Sequence, residues 1–193
     1  MLTNKNVSKT NHFYFFKMGL TEEQKQEITN LVAKYDKSGN GKLEYDEFLS
    51  FMKEGLGYPE NSNFLQQMRF LYDGMDVDGS HNLDKDEIIE CLSNFKEGNF
   101  KWITKMIFRG ADRDNSRKVS VDELKLASDN LGRSFSSDEF EQRCQVEFGK
   151  KKTELEYWEY YKLISGETLD KDSVEADPYD GKLEQKSKCC LLI

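Results

Sequence analysis

Asp36, Asp76 and Asp112 each open a twelve-residue stretch closed by a glutamate, Glu47, Glu87 or Glu123. The stretches read DKSGNGKLEYDE, DVDGSHNLDKDE and DRDNSRKVSVDE, with Leu43, Leu83 or Val119 at the eighth position. Oxygen-bearing side chains recur at positions one, three, five, nine and twelve. In a tight loop, alternate residues turn toward one point, and the backbone carbonyl of position seven can join them. A hard cation needing six to eight oxygens at roughly 2.3–2.6 Å is served by such a set, with position nine acting through water and a bidentate glutamate at twelve. The first loop offers Asp36, Ser38, Asn40, Lys42 (carbonyl only), Glu44 and Glu47. The second offers Asp76, Asp78, Ser80, Asn82, Asp84 and Glu87, and the third Asp112, Asp114, Ser116, Lys118, Ser120 and Glu123. All side-chain donors are oxygens, so zinc and copper suit the loops poorly.

Helices must hold these loops. Apolar residues at helical spacing precede each one: Ile28, Leu31, Val32 and Tyr35; Met68, Leu71, Tyr72 and Met75; Ile103, Ile107 and Phe108. Others follow: Phe48, Phe51 and Met52; Ile88, Cys91 and Leu92; Leu124 and Ala127. The repeated unit is therefore helix–loop–helix. Thr21 to Gln24 predicts a capping box on the first helix. The expected fold is all-α, with two pairs of such units and short strands where paired loops meet. The expected divisions are an N-terminal extension over 1–20, a first pair over 21–96 (loops 36–47 and 76–87), a second pair over 100–165 and a flexible tether over 166–193. Glu97-Gly98-Asn99 predicts a bend between the pairs rather than one long helix.

The stretch LTEEQKQEITNLVAKYDKSGNGKLEYDEF and the in-register return of the loop resemble the calmodulin-like EF-hand superfamily over roughly residues 20–165. The resemblance implies calcium as the cation, about three ions, and a target bound as an amphipathic helix.

The chain departs from that pattern in two ways. Position six turns through positive φ and favours glycine. Gly41 complies, but His81 and Arg117 replace it in the second and third loops, at a cost of about 1–2 kcal/mol each. The second loop offsets this with four carboxylates and the third has three, so the third is expected to bind most weakly. A fourth unit is degenerate: GKKKTELEYWE over 149–159 is one residue short, with lysines where carboxylates belong. Its expected role is to pair with the third loop, Leu155 beside Val119, as Leu43 pairs with Leu83.

The bulk composition fits a folded binding protein. Hydrophobic residues make up 37% and charged residues 33%, and the net charge of −8 argues against a nucleic-acid partner. No apolar run is long enough to span a bilayer. No secretory signal is recognisable, and the four cysteines make no disulfide framework, which points to the cytosol. Cys91 and Cys144 read as small core residues. Cys190-Leu191-Leu192-Ile193 fits a CaaX prenylation signal, of the geranylgeranyl kind given the last residue. Cys189 is either a palmitoylation site or an unmodified thiol. Met18-Gly19 fails as a myristoylation start because Glu23 stands where Ser or Thr is needed. His12 to Phe16 form an apolar cluster expected to pack on the nearest helix.

No nucleophile pairs with His12 or His81, and no glycine-rich phosphate loop is present, so catalysis is not expected. The expected function is that of a calcium sensor on the cytosolic face of a membrane, held by a C-terminal lipid and binding a target protein when calcium is present. Three ions would shift the formal charge to about −2, easing approach to an anionic leaflet. The alternative is a calcium buffer, or a constitutive regulatory subunit resembling calcineurin B. Phe48, Phe51, Met52, Met68, Leu71 and Met75 are candidates for an apolar groove, or else ordinary core.

Overall fold

The computed structural model describes residues 19–182. In chain order it contains α1 (Glu22–Tyr35), β1 (Lys42–Leu43), α2 (Tyr45–Ser50), α3 (Phe64–Met75), β2 (Leu83–Asp84) and α4 (Lys85–Glu97). Then follow α5 (Phe100–Ala111), β3 (Lys118–Ser120), α6 (Val121–Asn130), α7 (Ser137–Phe148), β4 (Glu154–Glu156) and α8 (Tyr157–Ser165). A π turn over Phe51–Gly55 prolongs α2. The fold is all-α: four helix–loop–helix hands in two pairs.

Local chemistry sets the helix ends. The capping box at α1 is formed, with the Gln24 amide donating to Thr21 Oγ1 at 3.2 Å and the Thr21 amide to Gln24 Oε1 at 3.1 Å. Between the pairs, Gly98 takes φ 67° and ends α4, and Asn99 Oδ1 accepts the Trp102 amide at 3.2 Å to cap α5. Within each pair the loops join as an antiparallel ladder. Leu43 faces Leu83 between β1 and β2, and Val119 faces Leu155 between β3 and β4. All four side chains are fully buried, which fixes the register because a one-residue slip would turn them to solvent.

Each pair has its own core, but the cores interlock. Trp102 and Met106 of α5 join the first, and Phe70 of α3 joins the second. The reason is a close crossing of α3 and α5. Gly74 and Gly110 each stand two residues before their loop, and a Cβ on either would lie 2.6 Å from a carbonyl oxygen of the other helix, Met106 or Phe70. Only glycine allows that approach. In α1 the same position is Lys34, which is exposed. Arg109 is buried beside the crossing and donates through Nε to the Gly74 carbonyl, at the end of α3, at 2.7 Å. Its charge suits the negative end of that helix.

The stretch read from the sequence as tether behaves differently over its first part. Residues 166–182 run back as a strap across the second pair, with a 3-10 turn at Val174–Ala176, and Leu169 and Tyr179 buried. Polarity concealed this, because Leu169, Val174, Ala176 and Tyr179, four apolar residues in seventeen, fall at no helical or strand period. Of the groove candidates, Phe48, Phe51, Met52, Met68 and Met75 lie in the first core, with Leu71 partly buried against it. Cys91 and Cys144 are buried free thiols. Cys189, Cys190 and the His12–Phe16 cluster lie outside the described residues.

Candidate metal centres

The same two residues close each loop and start the next helix. Position nine is the N-cap of the exiting helix and position twelve its third residue, so Glu44/Glu47, Asp84/Glu87 and Ser120/Glu123 are also capping boxes. The position-twelve carboxylate thereby spans its loop. Glu47 Oε2 accepts the Glu44 amide at 2.9 Å while Oε1 accepts the Ser38 amide at 2.8 Å. Glu87 accepts from Asp84 at 3.1 Å and Val77 at 2.9 Å, and Glu123 from Ser120 at 2.8 Å and Arg113 at 3.2 Å.

Position one anchors the other side. Asp36 Oδ2 accepts the Gly41 amide at 2.7 Å, Asp76 Oδ2 the His81 amide at 3.0 Å, and Asp112 Oδ2 the Arg117 amide at 2.9 Å. The sixth residue must turn its amide inward, which needs φ of 80°, 62° and 66° at Gly41, His81 and Arg117. The fourth residue is left-handed as well, at Gly39, Gly79 and Asn115. His81 is steadied by Tyr72, whose hydroxyl donates to its carbonyl at 2.7 Å and to that of Leu43 at 3.1 Å, tying both loops of the first pair to α3.

The loops differ in charge. One oxygen each from Asp76, Asp78 and Glu87 lie within 4.8 Å of one another, and so do oxygens of Asp112, Asp114 and Glu123. In the first loop Ser38 and Asn40 take positions three and five; Ser38 bridges by donating its hydroxyl to Asp36 at 3.1 Å and its amide to Glu47. Lys42 and Lys118 sit at position seven on their strands, where only the carbonyl can serve, and Asn82 holds it in the second loop.

Gathering buried carboxylates perturbs them. Burial pushes Asp76 up to about 6, against the amides of His81 and Ser80 and with the help of Asp78. Burial likewise pushes Glu87 up to about 7, against the Asp84 and Val77 amides. Asp112 is raised to about 6 by burial, opposed first by the Tyr179 hydroxyl. At Asp36 desolvation pushes upward, but the combined hydrogen bonds from the Gly41, Gly39 and Asn40 amides and the Ser38 hydroxyl outweigh it and hold the carboxyl below the usual range. Clustered carboxylates raised by burial gain most from a cation that lets them stay ionised. An all-oxygen donor set on left-handed turns fits calcium or magnesium, and the flexible Glu at position twelve favours the larger ion.

The fourth loop is an internal contrast. It keeps the ladder and the Glu156/Glu159 capping box, but the Lys152 ammonium bonds Glu159, which is buried. A side-chain cation already sits on the closing carboxylate, so this loop does not fit a metal.

Two features escaped the sequence reading. Tyr179 reaches Asp112 from the strap, and its only signal was a turn-like Asp177-Pro-Tyr-Asp-Gly181. The Gly74–Gly110 crossing was visible only as a repeated glycine two residues before a loop.

No family model matches the chain. It is 26% identical to the calcium-binding protein CML19 of Arabidopsis thaliana over 76% of this chain and 86% of that one. It is 28% identical to the probable calcium-binding protein CML20 of the same plant, over 58% of this chain and 65% of that one. It is 23% identical to the putative calmodulin-like protein 6 of Oryza sativa subsp. japonica, over 56% and 64%. With four hands in two ladder-joined pairs, this likeness to calmodulin-like calcium-binding proteins supports placing the chain in the EF-hand superfamily.

Proposed function

We propose that the chain is a calcium sensor binding three ions, in loops 36–47, 76–87 and 112–123, through the ligands assigned above. The observation that carries this is the convergence of three carboxylates in each of the second and third loops, one of them, Glu87 or Glu123, set on the first turn of α4 or α6. A bound calcium ion supplies two positive charges and six to eight coordination positions. Glu87 and Glu123 then draw their carboxylates inward, and because each is the third residue of its helix, α4 and α6 tilt with them.

An apolar target has a place to bind. A cavity of about 530 Å³ opens in the second pair, lined among others by Phe100, Ile107, Leu124, Phe135, Phe140 and Ile164. It suits the apolar face of an amphipathic helix. Membrane attachment would come from a prenyl group on Cys190, read as part of a C-terminal CaaX sequence, with palmitoyl on Cys189 as a second lipid. No helix among the described residues is long and apolar enough to cross a membrane. Lipid attachment would hold the chain on a cytosolic membrane face.

The buffer or constitutive-subunit reading has one observation in its favour. Phe48, Phe51 and Met68 are fully buried, and the α3–α5 crossing restrains both pairs, as in hands that bind without opening. Calcium titration of the unlipidated chain with an apolar-surface dye separates the readings. A sensor binds three ions and dye fluorescence rises with them. Binding without new dye fluorescence points to the buffer or constitutive subunit, and no binding overturns the proposal.

A further inference from the structure

Tyr179 lies outside every hand, yet its hydroxyl donates to Asp112 Oδ2 at 2.7 Å, and the tyrosine is 1% exposed. The corresponding oxygens of Asp36 and Asp76 take no hydrogen bond from beyond their own loops among the described residues. The strap holding Tyr179 is fixed at several points. Its Pro178 carbonyl accepts from Arg109 Nη1 at 2.6 Å, Asp180 pairs with Lys105, and Glu175 lies 2.9 Å from Lys101. Asp177 stands 3.6 Å from the Arg117 guanidinium, and that guanidinium lies 6.0 Å from the Tyr179 ring.

These contacts answer the two faults of the third loop. Arg117 puts a positive side chain at position six, and Asp177 draws it outward. The third loop has three carboxylates against four in the second, and Tyr179 fixes the orientation of one of them, Asp112. With Oδ2 held by the Arg117 amide and the Tyr179 hydroxyl, Oδ1 remains on the Ser116 side, where Ser116 donates its amide at 2.9 Å and its hydroxyl at 3.2 Å. A Ser116 hydroxyl that rotates toward a cation frees Oδ1 to join it. A ligand carboxylate whose other oxygen is fixed loses less freedom on binding metal.

We propose that the third metal centre extends into the strap: Tyr179 is a positioning residue for Asp112, and cation binding in loop 112–123 and docking of residues 166–182 strengthen each other. The inference rests on that loop being a calcium site. Coupling is reciprocal, so the ion tightens the strap by the factor that the strap tightens the ion.

The test uses the full chain, calcium titration by calorimetry, and amide exchange of residues 177–182 with and without calcium. Tyr179→Phe keeps the buried ring and removes the hydroxyl. It is expected to weaken one ion about tenfold and leave the others unchanged. Glu123→Gln is expected to lose that one ion. Calcium is expected to slow exchange in residues 177–182 of the unmodified chain and not in Glu123→Gln. If Glu123→Gln loses an ion while Tyr179→Phe binds as the unmodified chain does, the strap inference fails and the calcium site stands. Calcium-accelerated exchange would mean the hydroxyl competes with the ion, which also overturns the inference. A Glu123→Gln chain that loses no ion overturns both.

Discussion

Gly110→Ala tests whether α3 and α5 are held at a distance only glycine permits. A Cβ at Gly110 would lie 2.6 Å from the Phe70 carbonyl oxygen and 3.0 Å from Phe70 Cε2. An ordinary carbon–oxygen contact is longer by about 0.6 Å, and a carbonyl inside a helix cannot rotate aside, so the helices must part. Parting by that amount loosens contacts along the whole crossing, including Trp102 and Met106 in the first core and Phe70 in the second. Overpacking of this kind costs about 1–3 kcal/mol, and a backbone obstacle places it in the upper half of that range. Replacing glycine by alanine inside a helix returns about 1 kcal/mol. The expected net loss is therefore about 1–2 kcal/mol, or roughly 2–8 °C in Tm for a chain of this size.

Thermal unfolding in chelator reads this directly. Gly74→Ala, which meets the Met106 carbonyl at 2.6 Å, should behave alike. The double variant should cost less than the sum, since one opening relieves both contacts. Lys34→Ala, at the same position of α1, is exposed and should stay within about 0.5 kcal/mol. A Gly110→Ala chain that is more stable than the original would refute the reasoning, because helix propensity alone would then have decided the outcome.

Three further outcomes follow from the loops. Ion binding at the second loop must expel protons from Asp76 and Glu87, raised to about 6 and about 7, so its calcium affinity should fall by roughly two orders of magnitude from pH 7.5 to 5.5; a flat calorimetric profile would contradict those environments. In chelator the sign reverses for stability. Raised carboxylates stabilise the fold when protonated, so Tm should drop as pH rises from 5 through 7, and a rise would show that other groups dominate. Lys152→Met removes the ammonium from the buried Glu159 and should cost about 2–3 kcal/mol in urea unfolding; pairing it with Glu159→Gln should recover most of that loss.

Much of this was legible residue by residue. The alternation of Asp36, Ser38 and Asn40, with Glu47 at position twelve, is a local pattern, and so is the need for positive φ at position six. Local geometry needs only neighbouring residues, so His81 and Arg117 could be assigned their conformation before any fold was known. The ladders were equally accessible, because Leu43 and Leu83, or Val119 and Leu155, hold the same place in repeated units that must bury their loops together. Capping at Thr21 and the break at Gly98 are likewise written in adjacent residues.

What the sequence could not supply depends on groups far apart in the chain. Whether Met68 and Phe51 line a groove or fill a core is decided by what packs over them, and both are buried. Gly74 and Gly110 signal nothing singly; their meaning appears only when two helices cross at that spot and meet backbone to backbone. Tyr179 sits in a polar stretch without periodicity, and its place on Asp112 exists because Arg109, Lys105 and Arg117 converge on one side of α5 and the third loop to receive the strap. Sequence by itself determined the loops, their helices and the pairing of hands, since each follows from short-range geometry. Tertiary structure alone decided how the pairs interlock and what reaches the third loop, since those depend on surfaces that come together only when the whole chain has packed.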